Sequence, residues 1–265
     1  MNQTFVLKCG GSTLAALPDS FFEDMAALAA RGVMPVIVHG GGPAISGTLE
    51  KLGIPSEFVN GLRKTSDAVL DVVEMVLAGQ INKEIVRKIQ RFGANAVGLS
   101  GVDGRLLVSE PVENAAEVGF VGKVVSVNKE LLQTVAQSGF IPVVAPVGIS
   151  ADSSQRYNIN ADTAAGAVAS QIGASQLLVV TDVPGIMKED ENGVKQVLPV
   201  VTVQEIEEMI ASGVIYGGMI PKVRAAIDCI QGEVNEVVIV SGSDPRVLSR
   251  VLSGEAIGTR IHKPN

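Results

Sequence analysis

Tryptophan is missing from this 265-residue chain, and aromatic residues make up only 3% of it. Proteins that hold single-stranded nucleic acid stack bases on aromatic rings, so that class of function is disfavoured. Positive charge is in deficit as well. The formal net charge is −7, which works against general attraction to a polyanion. No apolar run is long enough to span a bilayer: Phe140 to Ile149, the longest low-polarity run, is short and broken by prolines. The N-terminus lacks the charged segment and apolar core of a signal peptide. His39 and His262 are too few and too far apart in sequence for a triad or a zinc site. Cys9 and Cys229 form no CxxC, which suits two reduced thiols. Also absent are G-x-x-x-x-G-K-[ST], a G-x-G-x-x-G at the first strand–helix turn, and the H-R-D and D-F-G of protein kinases. These absences lead us to expect a cytoplasmic protein that engages neither nucleic acid nor membrane.

What is present is glycine, 29 residues of it, some placed at strand ends. Val33 to Val38 reads as a buried strand, and Ile45, Leu49 and Leu52 have helical spacing. His39-Gly40-Gly41-Gly42-Pro43 joins the two, with Pro43 suited to a first helical turn. Glycine permits backbone angles that other residues resist and lets a ligand approach the main chain. A helix N-terminus adds unpaired N–H groups and partial positive charge. The stretch therefore suits an anion, phosphate or carboxylate, although the same glycines also make a plain tight turn. His39 reads as a residue that structures this loop, because no partner that would orient a general base is evident.

A length of 265 residues allows one large α/β domain or two small ones. An apolar fraction of 46% against 18% charged residues favours a sheet covered on both faces. Strand-like runs at 4–7, 33–38, 140–145, 176–180, 234–240 and 258–261 alternate with helical patterns at 19–31, 128–138, 161–172, 203–212, 219–230 and 245–252. That alternation predicts βαβ units and a mainly parallel sheet, with one continuous sheet favoured over two separable domains. Asn60-Gly61 predicts a hairpin turn. Residues 66–92 read as a long or broken helix capped by Ser66, with an apolar stripe of Val69, Val72, Val73, Val76 and Leu77. Residues 96–127 read as short strands and hairpins. In an open parallel sheet, ligands bind off the carboxyl ends of the strands. Lys8-Cys9-Gly10-Gly11, His39 to Gly42 and Thr181-Asp182-Val183-Pro184-Gly185 all fall at such ends, and Asn158 to Asp162 precedes a helix.

Six motifs stand in one order: Lys8-x-Gly10-Gly11, Val38-His39-Gly40-Gly41-Gly42, Asn60-Gly61-Leu62-Arg63, Asn158-x-Asn160-Ala161-Asp162, Asp182-Val183-x-Gly185-Ile186 and Gly218-Met219-Ile220-x-Lys222. In that order, over essentially the whole chain, they resemble the amino-acid kinase family and, within it, the acetylglutamate kinases. The resemblance implies a three-layer αβα sandwich with an open, mainly parallel central sheet, in a single domain, 1–265. A lobe of about residues 1–175 would bind the acyl acceptor, and one of about 176–265 the nucleotide. The implied reaction moves the γ-phosphoryl group of ATP to the side-chain carboxylate of N-acetyl-L-glutamate, a step in arginine biosynthesis. A carboxylate is already an anionic nucleophile, so no general base is required, and phosphoryl transfer becomes a matter of positioning and electrostatics. Alternatives are another kinase of the family or a non-catalytic binding protein on the same fold.

By this resemblance Lys8 and Lys222 are the transition-state lysines and Asp162 the carboxylate that holds them. Gly41, Gly42, Arg63 and Asn158 contact the acceptor. Gly10, Gly11, Asp182, Gly185, Met187 and Tyr216 face phosphate or nucleotide, with Gly41 also donating to the phosphoryl group. Mg²⁺ would be held mainly by ATP oxygens and water. Arginine-inhibited relatives carry an added N-terminal helix before the first strand. Only Met1-Asn2-Gln3 precede the strand here, too few for a helical turn. The expectation is a homodimer that arginine does not inhibit, with the 66–92 stripe as candidate interface.

Overall fold

The computed structural model describes residues 4–10, 17–190, 193–217, 219–231 and 234–262. The expected sites at Gly11 and Gly218 and the segment 1–3 lie outside them. In chain order the strands are β1 (Phe5–Cys9), β2 (Pro35–His39), β3 (Phe58–Val59), β4 (Leu62–Arg63), β5 (Ala96–Ser100), β6 (Leu107–Pro111), β7 (Val121–Val127), β8 (Ile141–Ala145), β9 (Val147–Ile149), β10 (Arg156–Ile159), β11 (Leu177–Thr181), β12 (Met187–Glu189), β13 (Lys195–Val197), β14 (Val200–Val201), β15 (Glu236–Ser241) and β16 (Thr259–His262). The helices are α1 (Asp19–Ala30), α2 (Gly42–Lys51), α3 (Asp67–Glu74), a π-helical segment (Met75–Ile81), α4 (Asn82–Arg91), α5 (Ala115–Val118), α6 (Lys129–Gln137), α7 (Ala161–Gln171), α8 (Val203–Ala211), α9 (Met219–Gln231) and α10 (Val247–Leu252).

The central sheet has eight strands in the order β14-β16-β15-β11-β1-β2-β8-β5. Every neighbouring pair in it is parallel except β15 with β16. β1, β2, β8 and β11 are buried at every residue, as strands covered on both faces must be. Alternation then sorts their side chains into two cores. Leu7, Ile37, Val143, Leu178 and Val238 pack with Phe21, Phe22 and Met25 of α1, Leu49 of α2, and Val247, Leu248 and Val251 of α10. Val6, Val38, Val144, Val179 and Ile239 face the other way, onto Ala164 and Val168 of α7, Ile206 of α8 and Val223 of α9. Helices thus sandwich the sheet, giving the three layers expected.

Two expectations need correction. The strands between 107 and 127 do not join the central sheet. β6 and β7 close with β9 and β10 into a separate four-stranded unit, and nothing in the sequence between 146 and 157 had suggested β9 or β10. The apolar stripe of 66–92 is also committed elsewhere: Val69, Val72, Val73, Val76 and Leu77 are all buried in the main core, so it is not available as an intersubunit face. Ser66 does cap α3, accepting from the Val69 N–H. The Asn60-Gly61 hairpin forms with φ of +49° and +80°, the positive pair that a type I′ turn demands.

The chain runs outward from β1 through β2 on one side and returns to β11 on the other. This makes the carboxyl ends of β1 and β11 the crevice where such sheets bind ligands.

Candidate active site

Lys8 stands one residue from the end of β1 and is only 4% exposed. A buried ammonium needs a partner, and Asp162, in the first turn of α7, supplies it at 2.7 Å. Asn160 positions that turn: its side-chain oxygen accepts from the N–H groups of Asp162 and Thr163, satisfying donors that a helix start leaves open.

Across the same cavity, of about 230 Å³, lies Arg63. Its guanidinium donates to Ser56 Oγ, to the Gly42 carbonyl at 3.1 Å and to Ser46 Oγ at 2.9 Å, and it sits 4.6 Å over the Phe58 ring. Burial draws its pKa down, and among the described residues no carboxylate pairs with it. Asn158 Nδ2 donates to Thr65 Oγ1 at 3.1 Å, and Thr65 Oγ1 donates to the Arg63 carbonyl at 2.7 Å, so the two expected acceptor contacts are tied together by a residue that sequence reasoning passed over. With one carboxylate already neutralised by Lys8, the cavity keeps an unanswered positive charge and suits an anion.

Gly41 and Gly42 line this cavity beside Gly10. None of Gly40, Gly41 and Gly42 has a positive φ, so the loop does not need glycine for unusual backbone angles. Space is the reason at Gly41, where a Cβ would stand 2.4 Å from Ile81 Cδ1 and 2.6 Å from Leu77 Cδ2. At Gly42 a Cβ would meet nothing within 4 Å. His39, fully buried, has its pKa pushed down to about 4, chiefly by burial. It is neutral at physiological pH, in keeping with a structuring rather than a proton-transferring role.

A second cavity, of about 460 Å³, is lined by Gly185, Met187, Val214 and Tyr216, among others. Tyr216 is 70% exposed at its rim. Thr259 holds the floor: its hydroxyl accepts from the Ile186 N–H at 2.8 Å and donates to the Leu198 carbonyl at 2.7 Å. Gly185 lies close over it, since a Cβ there would fall 2.6 Å from that hydroxyl. Asp182 lines neither cavity. Its carboxyl is held below the usual range by the Thr181 hydroxyl first, then by a backbone N–H and the charge of Lys222. Lys222, on α9, is therefore near the end of β11. Among the described residues no three His, Cys, Asp or Glu side chains gather into a metal site, and no helix is long and apolar enough to cross a membrane. Cys9 and Cys229 are buried free thiols whose pKa burial raises to about 12.

Comparison with known proteins agrees with this architecture. The pattern of the amino acid kinase family matches residues 3–241. An acetylglutamate kinase of Halalkalibacterium halodurans is 50% identical over 263 residues, covering 99% of this chain and 97% of that protein. The crystal structure of smu.665 from Streptococcus mutans superposes with a TM-score of 0.86 at 30% identity, over the whole of both chains. An N-acetylglutamate synthase from Neisseria gonorrhoeae superposes at 0.82 and 21% identity, covering 100% of this chain and 60% of that one, a likeness of fold alone. The chain belongs to the amino acid kinase family and, within it, groups with the acetylglutamate kinases.

Proposed function

We propose that the protein transfers the γ-phosphoryl group of ATP to the side-chain carboxylate of N-acetyl-L-glutamate, forming N-acetyl-L-glutamyl 5-phosphate and ADP for arginine biosynthesis. The observation that carries this reading is the buried, carboxylate-free Arg63 facing the Lys8–Asp162 pair across one cavity. Arg63 offers a planar fork to the α-carboxylate, with Asn158 beside it. Lys8 then meets the other carboxylate as it attacks. One carboxylate oxygen forms a bond to the γ-phosphorus while the bond from that phosphorus to the β–γ bridging oxygen breaks. Lys8 offsets charge on the attacking side and Lys222 on the leaving side. Asp162 holds Lys8 in place through their 2.7 Å ion pair, and the N–H groups of the glycine loop donate to the phosphoryl oxygens. Such preorganised donors are typically the largest contribution to rate.

The acceptor cavity is built from residues 8–162 and the second cavity from residues 185–219, which supports one lobe for each substrate along a shared sheet. The nucleotide would lie over Gly185 and Met187 against Tyr216. Mg²⁺ would travel with the nucleotide, coordinated by its oxygens and water. Assembly as a homodimer remains part of the proposal; exposed Met75 on the π-helical segment and the open edge of β5 are the surfaces that suit it. The test is ADP release from ATP with N-acetylglutamate, aspartate, glutamate and UMP offered in parallel. Release with N-acetylglutamate alone is expected, and a preference for another acceptor would overturn the assignment.

A further inference from the structure

Two fully buried polar side chains behind the glycine loop have no part in the reaction as drawn. His39 ends β2, and Asn82 opens α4 directly after the π-helical segment; both are 0% exposed. Asn82 Nδ2 lies 3.2 Å from His39 Nε2, 2.8 Å from the Val143 carbonyl and 3.3 Å from the Leu99 carbonyl. Its Oδ1 accepts from Lys83 Nζ at 3.1 Å. Two carbonyls on one side of the amide and an ammonium on the other leave it a single orientation, with the NH₂ toward the histidine. An amide NH₂ only donates, and it has two protons: one goes to the near Val143 carbonyl and the other is shared between His39 Nε2 and the Leu99 carbonyl, so Nε2 faces a donor and the ring proton resides on Nδ1. Nδ1 lies 3.1 Å from the Gly40 carbonyl, which takes that proton as a hydrogen bond.

We infer that Asn82 is a positioning residue: by fixing His39 in its Nδ1–H form it anchors Gly40, and with it the Gly40–Gly42 loop that receives the phosphoryl group. Arg63 grips the far end of that loop through the Gly42 carbonyl, so the loop is held at both ends. Between them Gly41 rests on Ile81 and Leu77 of the π-helical segment. The wide turn accounts for Asn82's reach. Substituting π for α geometry rotates the following helix about its axis, and π segments of this kind are frequent at functional sites. The segment thus does two things at once, pressing on the middle of the loop and aiming an amide at its base.

The inference rests on the function proposed above only in naming what the loop receives; the tautomer does not depend on it. The chain has two histidines, so ¹⁵N NMR of the imidazoles is readily assigned, with His262→Gln identifying the other ring. Expected for the wild type is a His39 ring protonated at Nδ1 and bare at Nε2. Asn82→Asp, which cannot donate, should shift the proton to Nε2. It should also lower kcat between about ten- and a hundredfold, as small misplacements at a reacting centre do, while the ATP KM stays within about twofold. Should that variant not fold, His39→Leu carries the kinetic arm. A wild-type ring protonated at Nε2 would overturn the inference. So would a variant with a lowered Tm whose folded molecules keep wild-type kcat and KM, since that is a purely structural role. A wild type inactive on acetylglutamate but with Nδ1–H on His39 would sink the proposed function and leave the latch standing.

Discussion

Acid should weaken this protein through His39 in particular, and the size of the effect follows from its burial. The ring is fully enclosed and its pKa is pushed down from 6.5 to about 4. In the unfolded chain the same ring titrates near 6.5. Between these values the unfolded state binds more protons than the folded one, so stability falls as pH falls. The loss begins as pH drops through 6.5 and is nearly complete at the folded pKa. A shift of this size corresponds to about 3 kcal/mol at pH 4 relative to pH 7.5, a large part of a typical domain's total stability. Carboxylates also titrate in this window, so the wild type must be compared with His39→Gln, whose amide does not. Urea unfolding followed by circular dichroism at pH 7.5, 6, 5 and 4 gives both curves. The variant should start less stable, and the gap should close by about 3 kcal/mol on acidification. Parallel curves for the two proteins would refute the argument, because they would mean that His39 charges as easily folded as unfolded.

Two further outcomes follow from the site. Lys222→Ala should cut kcat on the order of 10²–10³-fold with little change in acetylglutamate affinity, as loss of one transition-state contact does; a near-normal kcat in steady-state assays would remove Lys222 from the mechanism. It is a cleaner probe than Lys8→Ala, which would leave the half-buried Asp162 carboxylate without the partner at 2.7 Å. Arg63→Lys keeps the charge and loses the fork that serves Ser46, Ser56 and the Gly42 carbonyl. The acetylglutamate KM should rise while the ATP KM holds, and an equal rise for both substrates would assign Arg63 to loop support alone.

Most of the secondary structure was legible because its signals are local. Continuous Val, Ile and Leu runs marked β1, β2, β8, β11 and β15, and their parallel pairing followed from the helices between them. The Asn60-Gly61 turn was legible because few residues tolerate its backbone angles. The site residues Lys8, Arg63, Asn158 and Asp162 were found by their order along the chain, and the fold brings all four to one cavity. Short strands such as β9 and β12 escaped notice because three residues each are too few to show a period.

By itself, then, the sequence determined the alternation of strands and helices and the α/β fold class, which depend on periodicity, while the candidate reactive groups came from the resemblance of six ordered motifs to a known family. Tertiary structure alone decided three things. It decided that β6, β7, β9 and β10 leave the central sheet, since strand pairing is non-local. It decided that the 66–92 stripe faces the core and not a second subunit, because an apolar stripe carries no label for what covers it. And it decided what anchors the glycine loop: Asn82 lies 43 residues from His39, and a π-helical turn, which no residue pattern announced, aims its amide at the imidazole.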